Sequence, residues 1–287
     1  MDQAPHCYRH PDRETYVSCS ECGRPICDEC MTFAPVGIRC PEHATVGTPR
    51  GVGTPRGTAQ RVARPVRSGF VSHPAPATLV LVLANVAIYL ITAYQGNGPN
   101  LPGGSLFNNW LLQGAAVASG DWYRLITAMF LHGSLLHLGF NMLALWWLGS
   151  IVEQALGTWR FLLVYFVAGL AGSAGALLLS NPLQPTVGAS GAIYGILGAL
   201  LILEWLQTGS LAGPAMTLIV LNLALSLAIP GISIGGHLGG LVGGIAATWV
   251  LTQTRYARSP LIGPGLVVLI GVLSIAVAYV RVENFTI

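Results

Sequence analysis

The chain has 287 residues, of which 53% are hydrophobic and 9% are charged, and its formal net charge is +3. A soluble domain carries about 25% charged residues, so this composition excludes an ordinary soluble domain and indicates that much of the chain lies in a membrane. The positive charge is small and spread along the chain, which argues against a nucleic-acid partner.

The first 45 residues are polar and contain all six cysteines, arranged in pairs with the spacing of metal ligands. The pairs are Cys7 and His10, Cys19 and Cys22, Cys27 and Cys30, and Cys40 and His43. Together they supply eight ligands, enough for two structural zinc ions with four ligands each. The spacing favours interleaving, in which the first and third pairs hold one ion and the second and fourth pairs hold the other. Pairing in chain order is the alternative, and His6 is a possible substitute ligand.

This ligand pattern resembles a B-box-type zinc finger, which implies a small binding domain that contacts a protein partner or the cytoplasmic face of the membrane domain. Three disulfides are the competing hypothesis. A cytoplasmic N-terminus disfavours them, and they leave the Cys-x2-His spacing unexplained. A domain of this size needs more than a hydrophobic core for stability, and bound metal would supply it.

Residues 46–76 are rich in Gly, Pro, Thr and Arg, include the repeat GTPRGVGTPRG, and are predicted to form a flexible cytoplasmic linker. The remainder is hydrophobic, with its charges near the ends of apolar runs, as bilayer-spanning helices of about 20 residues require. We predict an all-α polytopic membrane protein. Its seven spans are residues 77–94, 134–152, 160–180, 190–206, 212–229, 235–253 and 261–280, of which the fifth is short.

The distribution of arginine predicts the orientation of these spans. The first ten residues lack the pattern of a signal peptide, so the N-terminus is expected to stay in the cytoplasm. Five arginines then precede the first span, and Arg160, Arg255 and Arg258 fall on the same side. The opposite side holds Arg124 and Arg281. The positive-inside rule therefore favours a cytoplasmic N-terminus and an external C-terminus, and we expect the protein in the plasma membrane.

Polar residues from three spans share one depth near the outer side. Ser190 begins span 4, His137 and Asn141 lie in the first turns of span 2, and His237 lies in the first turn of span 6. Glycines spaced four residues apart in spans 4 and 6 predict close packing of these two helices. That approach would bring the imidazole of His237 to the hydroxyl of Ser190.

This constellation predicts nucleophilic catalysis. His237 would accept the proton of Ser190, and because spans 2, 4 and 6 contain no carboxylate at this depth, the arrangement is a dyad. The N–H of Ser190 and the side chains of His137 and Asn141 would stabilise an oxyanion. Tyr194 is placed to pack on the His237 ring. Gly188 leaves room for a substrate backbone.

The motifs GASG at Gly188, HxxxN at His137 and GGH at His237 resemble the rhomboid intramembrane serine proteases in type and order, over residues 78 to 253. The resemblance implies a six-helix core at 77–253, followed at 254–287 by a loop and one additional helix. It also implies cleavage of transmembrane substrates within the lipid bilayer, near its outer face, without a catalytic cofactor.

Two other functions compete with a protease. A non-catalytic rhomboid-like protein would bind and regulate transmembrane clients, and a small transporter would use His137 and His237 in a proton path. The complete set of dyad and oxyanion residues argues against the first. The absence of an intramembrane carboxylate and of an inverted repeat argues against the second. A lone serine or histidine in a membrane helix is most often structural.

Overall fold

The computed structural model describes residues 5–33, 38–43, 75–255 and 259–283. The chain divides into two compact units, Met1–Ser68 and Gly69–Ile287. The predicted linker, residues 46–76, lies outside the described residues except for its last two positions. The five arginines of that linker and Arg258, on which the predicted orientation partly rests, also lie outside them.

The N-terminal unit consists mostly of turns around buried cysteines. A short antiparallel hairpin pairs Thr32–Phe33 (β1) with Ile38–Arg39 (β2). Every cysteine except Cys22 is buried, and together with Ile26 these side chains form the centre of the unit. All six cysteines carry free thiols. A core made so largely of thiols offers little apolar area, so this unit depends on something other than hydrophobic burial.

The second unit is built from helices. Their bounds are Pro76–Gln95 (α1), Gly104–Trp110 (α2), Gly114–Ala118 (α3), Arg124–Thr127 (α4), Leu135–Leu156 (α5), Thr158–Leu179 (α6), Ser190–Thr208 (α7), Pro214–Ala228 (α8), Ile234–Gln253 (α9) and Ile262–Val282 (α10). The short helices α2 to α4 lie in the connection between α1 and α5, and α5 contains one π-helical turn at Leu145–Gly149.

Each predicted span corresponds to one helix. Six of the helices in the described residues are long and apolar enough to cross a membrane, namely α1, α5, α6, α7, α9 and α10. The predicted short fifth span is α8, an apolar helix of 15 residues. The predicted all-α fold, with six core helices and one additional C-terminal helix, is therefore confirmed. At the centre, α6 contacts α7, α9 and α10.

Glycine brings α9 against α7, as the spacing predicted. A Cβ on Gly240 would overlap the carbonyl oxygen of Gly191, and a Cβ on Gly244 would overlap that of Gly195. Only glycine at these positions permits such a close approach of two backbones. The N-terminal turns of α7 and α9 are therefore held next to each other.

A second row of glycines on α9 packs on α6. Added Cβ atoms on Gly235 and Gly239 would overlap the carbonyl oxygens of Gly175 and Ala171. The sequence analysis predicted packing of α9 on α7 and did not predict that α6 covers this second row. Because α9 packs closely on both α6 and α7, these two helices fix the position of its first turn.

A buried carboxylate joins α5 to α1 and α6. Glu153 is 2% exposed and accepts hydrogen bonds from the backbone N–H groups of Ala77 at 3.0 Å and Thr78 at 2.8 Å. It also accepts from the hydroxyls of Thr78 at 2.8 Å and Thr158 at 2.9 Å. The carboxylate thus satisfies N–H groups that have no partner within the first turn of α1 and complements the helix dipole there.

The packing of α7 on α9 can be tested by adding one methyl group. We expect Gly244→Ala to lower the free energy of unfolding by about 1–3 kcal/mol, because the new Cβ meets backbone rather than a flexible side chain. Gly265→Ala is the matched control, since its Cβ would meet no atom within 4 Å and alanine favours helix. The measurement is the unfolding of purified protein in detergent micelles. Equal stability of the two variants would contradict the packing.

Candidate active site

The connection between α1 and α5 holds the N-terminus of α7 in place. Leu112 and Thr186 pair through two backbone hydrogen bonds of 3.0 and 2.8 Å, and the N–H of Gly188 donates to the carbonyl of Ala128 at 2.9 Å. Gly188 has φ of +128°, a conformation that favours glycine. Ser190 then becomes the first residue of α7. Its backbone N–H therefore has no acceptor within the helix.

His237 approaches Ser190 from the first turn of α9. The hydroxyl of Ser233 caps this helix by accepting the N–H of Gly236 at 3.1 Å. His237 is 7% exposed, and its Nε2 lies 2.9 Å from the Oγ of Ser190. This is hydrogen-bonding distance, so the imidazole is placed to accept the proton of the serine hydroxyl.

His137 and Asn141 lie one turn apart on α5. The N–H of Gly133 donates to Nδ1 of His137 at 3.3 Å, which assigns the proton of a neutral ring to Nε2. A Cβ on Gly188 would lie 2.8 Å from that Nε2 and 3.7 Å from the Oγ of Ser190, so His137 borders the space beside the serine. The amide of Asn141 donates one hydrogen to the carbonyl of His137 at 2.8 Å and retains a second.

Tyr194 lies one turn after Ser190 and stacks on the His237 ring. The ring centroids are 4.0 Å apart and the planes differ by 18°. One face of the imidazole is therefore covered, which limits tilting of the ring out of its plane. The phenol of Tyr194 extends beyond the ring and lies 3.0 Å from the Oγ of Ser226 on α8.

The sequence analysis missed Ser226. Its Oγ lies 2.7 Å from Nδ1 of His237, and its hydroxyl donates to the carbonyl of Asn222 at 2.7 Å. One signal could have found it. The fifth span ends on the side where the even-numbered spans begin, so a hydroxyl near its C-terminus shares the depth of Ser190. The prediction of a dyad considered only carboxylates as partners for Nδ1 of His237, and it did not consider a neutral hydroxyl.

Arg124 organises the connection before α5. It is 7% exposed and forms an ion pair with Asp121 at 2.9 Å. It also donates to the carbonyl oxygens of Asn108 at 2.8 Å and Leu111 at 3.0 Å. Because one guanidinium holds three separate parts of this connection, Arg124 fixes the segment that in turn pairs with Thr186, two residues before Gly188.

The eight predicted metal ligands form two groups in the N-terminal unit. One group is Cys7, His10, Cys27 and Cys30, and the other is Cys19, Cys22, Cys40 and His43. Within each group the ligand atoms lie within 4.8 Å of one another. These are the interleaved sets rather than pairs in chain order, and His6 belongs to neither. Three thiols and one imidazole at this spacing could hold a metal ion with four ligands.

Comparisons with known proteins match the helical unit. The Rhomboid domain family matches residues 119–254. The rhomboid protease GluP of Bacillus subtilis is 35% identical over 180 residues, which cover 61% of this chain and 34% of GluP. RHOMBOID-like protein 5 of Arabidopsis thaliana is 36% identical over 178 residues, 58% of this chain and 57% of that protein. RHOMBOID-like protein 6, mitochondrial, from the same plant is 30% identical over 211 residues, which cover 61% of this chain and 68% of that protein.

The chain thus spans about a third of the length of GluP and just over half of RHOMBOID-like protein 5, but more than two thirds of RHOMBOID-like protein 6. The family match covers the three elements that carry Ser190, His237 and His137. Together with the six long apolar helices, these matches identify a multi-pass integral membrane protein, and the chain belongs to the rhomboid family.

Proposed function

We propose that this protein is an intramembrane serine endopeptidase that cleaves transmembrane proteins near the outer membrane face, with Ser190 as nucleophile and His237 as general base. The observation that carries the proposal is the 2.9 Å separation between Ser190 Oγ and His237 Nε2, at the N-termini of two apolar helices. The similarity to GluP, which is named a rhomboid protease, supports the same activity.

The proposed reaction has two stages. Nε2 of His237 takes the hydroxyl proton of Ser190 while Oγ bonds to the scissile carbonyl carbon. When the C–N bond breaks, the same proton passes to the leaving amine, and an ester to Ser190 remains. His237 then takes a proton from water, the hydroxide attacks the ester, and the proton returns to Oγ as the new carboxyl terminus leaves.

The oxyanion of each stage needs donors that are already in place. The backbone N–H of Ser190 lies at a helix start, where the dipole also favours negative charge. Nε2–H of His137 borders the same space, and Asn141 retains one amide hydrogen. Tyr194 and Gly188 would act differently, the first by holding the imidazole plane and the second by leaving room for the substrate.

We assign the N-terminus to the cytoplasm and the C-terminus to the outside of the plasma membrane. The support is the asymmetric distribution of arginine along the sequence. In this orientation the N-termini of α5, α7 and α9 all face outward, so the site lies near the outer leaflet. The substrate would be a membrane helix that unwinds at that depth.

We also propose that residues 1–45 form a B-box-like zinc finger with two structural zinc ions, joined by the linker 46–76 to the protease core at 77–253 and the extra helix at 254–287. Each group of three thiols and one imidazole provides a full ligand set for zinc, which leaves no open position for catalysis. The finger is proposed to bind a protein partner.

The dyad is tested by single substitutions. We expect Ser190→Ala and His237→Ala each to lower cleavage of a single-span model substrate by about 10³-fold or more, because the remaining oxyanion donors alone catalyse poorly. Ser119→Ala is the matched control, since that hydroxyl only donates to the carbonyl of Ala115. Cleavage is measured with purified protein in liposomes. Full activity in either dyad variant would reject the Ser190–His237 dyad. Absence of cleavage by the unmodified protein would favour a non-catalytic binder of membrane proteins.

The space beside Ser190 is tested at Gly188. We expect Gly188→Ala to lower kcat/KM by about 100-fold, because its Cβ would press on His137 and displace an oxyanion donor. Gly120→Ala is the matched control. Gly120 also has positive φ, +107°, but its Cβ would meet no atom within 4 Å. It therefore reproduces the backbone strain without the clash. An equal loss in both variants would assign the effect to strain alone.

The metal assignment is tested by elemental analysis of the purified full chain. We expect about two zinc ions per chain, and about one in Cys27→Ser, which removes a ligand from one group only. His6→Ala is the control and should leave the zinc content unchanged, because His6 lies outside both groups. Unaltered zinc content in Cys27→Ser would contradict the proposed ligand set.

A further inference from the structure

Ser226 supplies the hydrogen-bond partner of the second nitrogen of His237. In the dyad, Nε2 of His237 must be unprotonated to accept the proton of Ser190, so a neutral ring carries its hydrogen on Nδ1. That N–H is buried and needs an acceptor, since an unpaired buried donor is expensive. The Oγ of Ser226, at 2.7 Å, is that acceptor.

One arrangement of hydrogens satisfies all three contacts of Ser226 together. A hydroxyl offers one donor and two acceptor lone pairs. The carbonyl of Asn222, at 2.7 Å, can only accept, so it takes the hydroxyl hydrogen of Ser226. The two lone pairs then accept from Nδ1–H of His237 and from the phenol of Tyr194 at 3.0 Å. Every hydrogen-bonding capacity of Ser226 is used, and the tautomer that this arrangement requires is the one needed for catalysis.

The position of Ser226 on α8 supports a specific role. In the second half of this helix, from Val220 to Ala228, Ser226 is the single buried residue, at 3% exposed. Its neighbours Leu225 and Leu227 are 48% and 72% exposed. Leu223 in this half is partly buried against the apolar core, but the fully buried contact is polar and is made to the His237–Tyr194 pair.

We propose that Ser226 is a positioning residue for His237, which would extend the dyad to a Ser190–His237–Ser226 chain of hydrogen bonds. This inference rests on the proposed protease function. Tyr194 fixes the plane of the imidazole, and Ser226 fixes its rotation within that plane, so that Nε2 stays directed at Ser190. A neutral hydroxyl does this without placing a charge in the membrane interior, where a carboxylate is costly.

A purely structural role is the competing explanation. A serine in a membrane helix often donates to the carbonyl four residues earlier, and Ser274 in α10 makes such a bond with Ile270 at 2.9 Å. Ser226 makes the same bond to Asn222. The two serines differ in that Ser226 alone also contacts His237 and Tyr194. Ser274→Ala is therefore a matched control for Ser226→Ala.

The experiment compares kcat, KM and thermal midpoint of purified full-length variants on a fluorescent single-span transmembrane peptide. For Ser226→Ala we expect kcat to fall about tenfold with little change in KM, because one neutral hydrogen bond to the base is lost. The labelling rate of Ser190 by a fluorophosphonate should fall by the same factor. Ser226→Thr, which keeps the hydroxyl, should restore both values, and Ser274→Ala should match the unmodified protein.

A second measurement uses Tyr194→Phe, which keeps the stack but removes the phenol bond to Ser226. We expect a smaller loss of kcat from Tyr194→Phe alone and no added loss when it is combined with Ser226→Ala, because both act through the same hydroxyl. If Ser226→Ala does not fold, Ser226→Cys replaces it, since a thiol is a weak acceptor of similar shape.

The outcomes separate this proposal from the protease proposal. Unchanged kcat and labelling in a folded Ser226→Ala protein would overturn the positioning role. A rise in kcat with a fall in KM would also overturn it, because that result would indicate that Ser226 only holds α8 in place. A lower thermal midpoint with unchanged kcat would assign it to stability alone, and failure of Ser226→Thr to restore kcat would remove the hydroxyl from the explanation. In each case an inactive Ser190→Ala would leave the protease proposal intact.

Discussion

The close approach of α7 and α9 sets the geometry on which the candidate site depends. Gly191 follows Ser190 directly, and Gly240 lies three residues after His237, so the two glycines that let the backbones meet sit beside the two reactive side chains. The distance between the hydroxyl and the imidazole is therefore a consequence of helix packing. Side-chain flexibility contributes little, because Tyr194 covers one face of the ring.

The helices of the second unit are anchored unequally. On one side α6 contacts the other five long helices, and Glu153 joins α5 to α1 and α6 through four hydrogen bonds. On the other side α8 packs mainly on α7. Its first turn is held by Glu204, which accepts the N–H of Ala215 at 3.0 Å, and its last turns by Ser226. A helix that packs mainly on one neighbour is thus tied to the imidazole by a polar contact.

Much of the fold and part of the site followed from the sequence. Long apolar runs fix the number of spans, and motif order with span parity predicted that Ser190, His237 and His137 meet. Two features depend on tertiary placement that spacing does not encode. The second glycine row could have faced any helix and faces α6. Ser226 was missed because a single hydroxyl in an apolar run looks like a back-bonding residue, and only the packing of α8 reveals its contact with His237. For the N-terminal cysteines, spacing allowed two pairings, and the chain's turns bring together the interleaved sets.

The length of α8 has a consequence for the surrounding lipid. Fifteen residues at 1.5 Å per residue extend about 22 Å, whereas the hydrocarbon layer of a bilayer is about 30 Å thick. The bilayer beside this helix must become thinner, by compression of the acyl chains or by inward movement of the headgroups, so that the polar helix ends do not lie in hydrocarbon. A helix diffusing toward that side of the protein would meet a locally thinned membrane, where its backbone reaches water sooner than elsewhere in the bilayer.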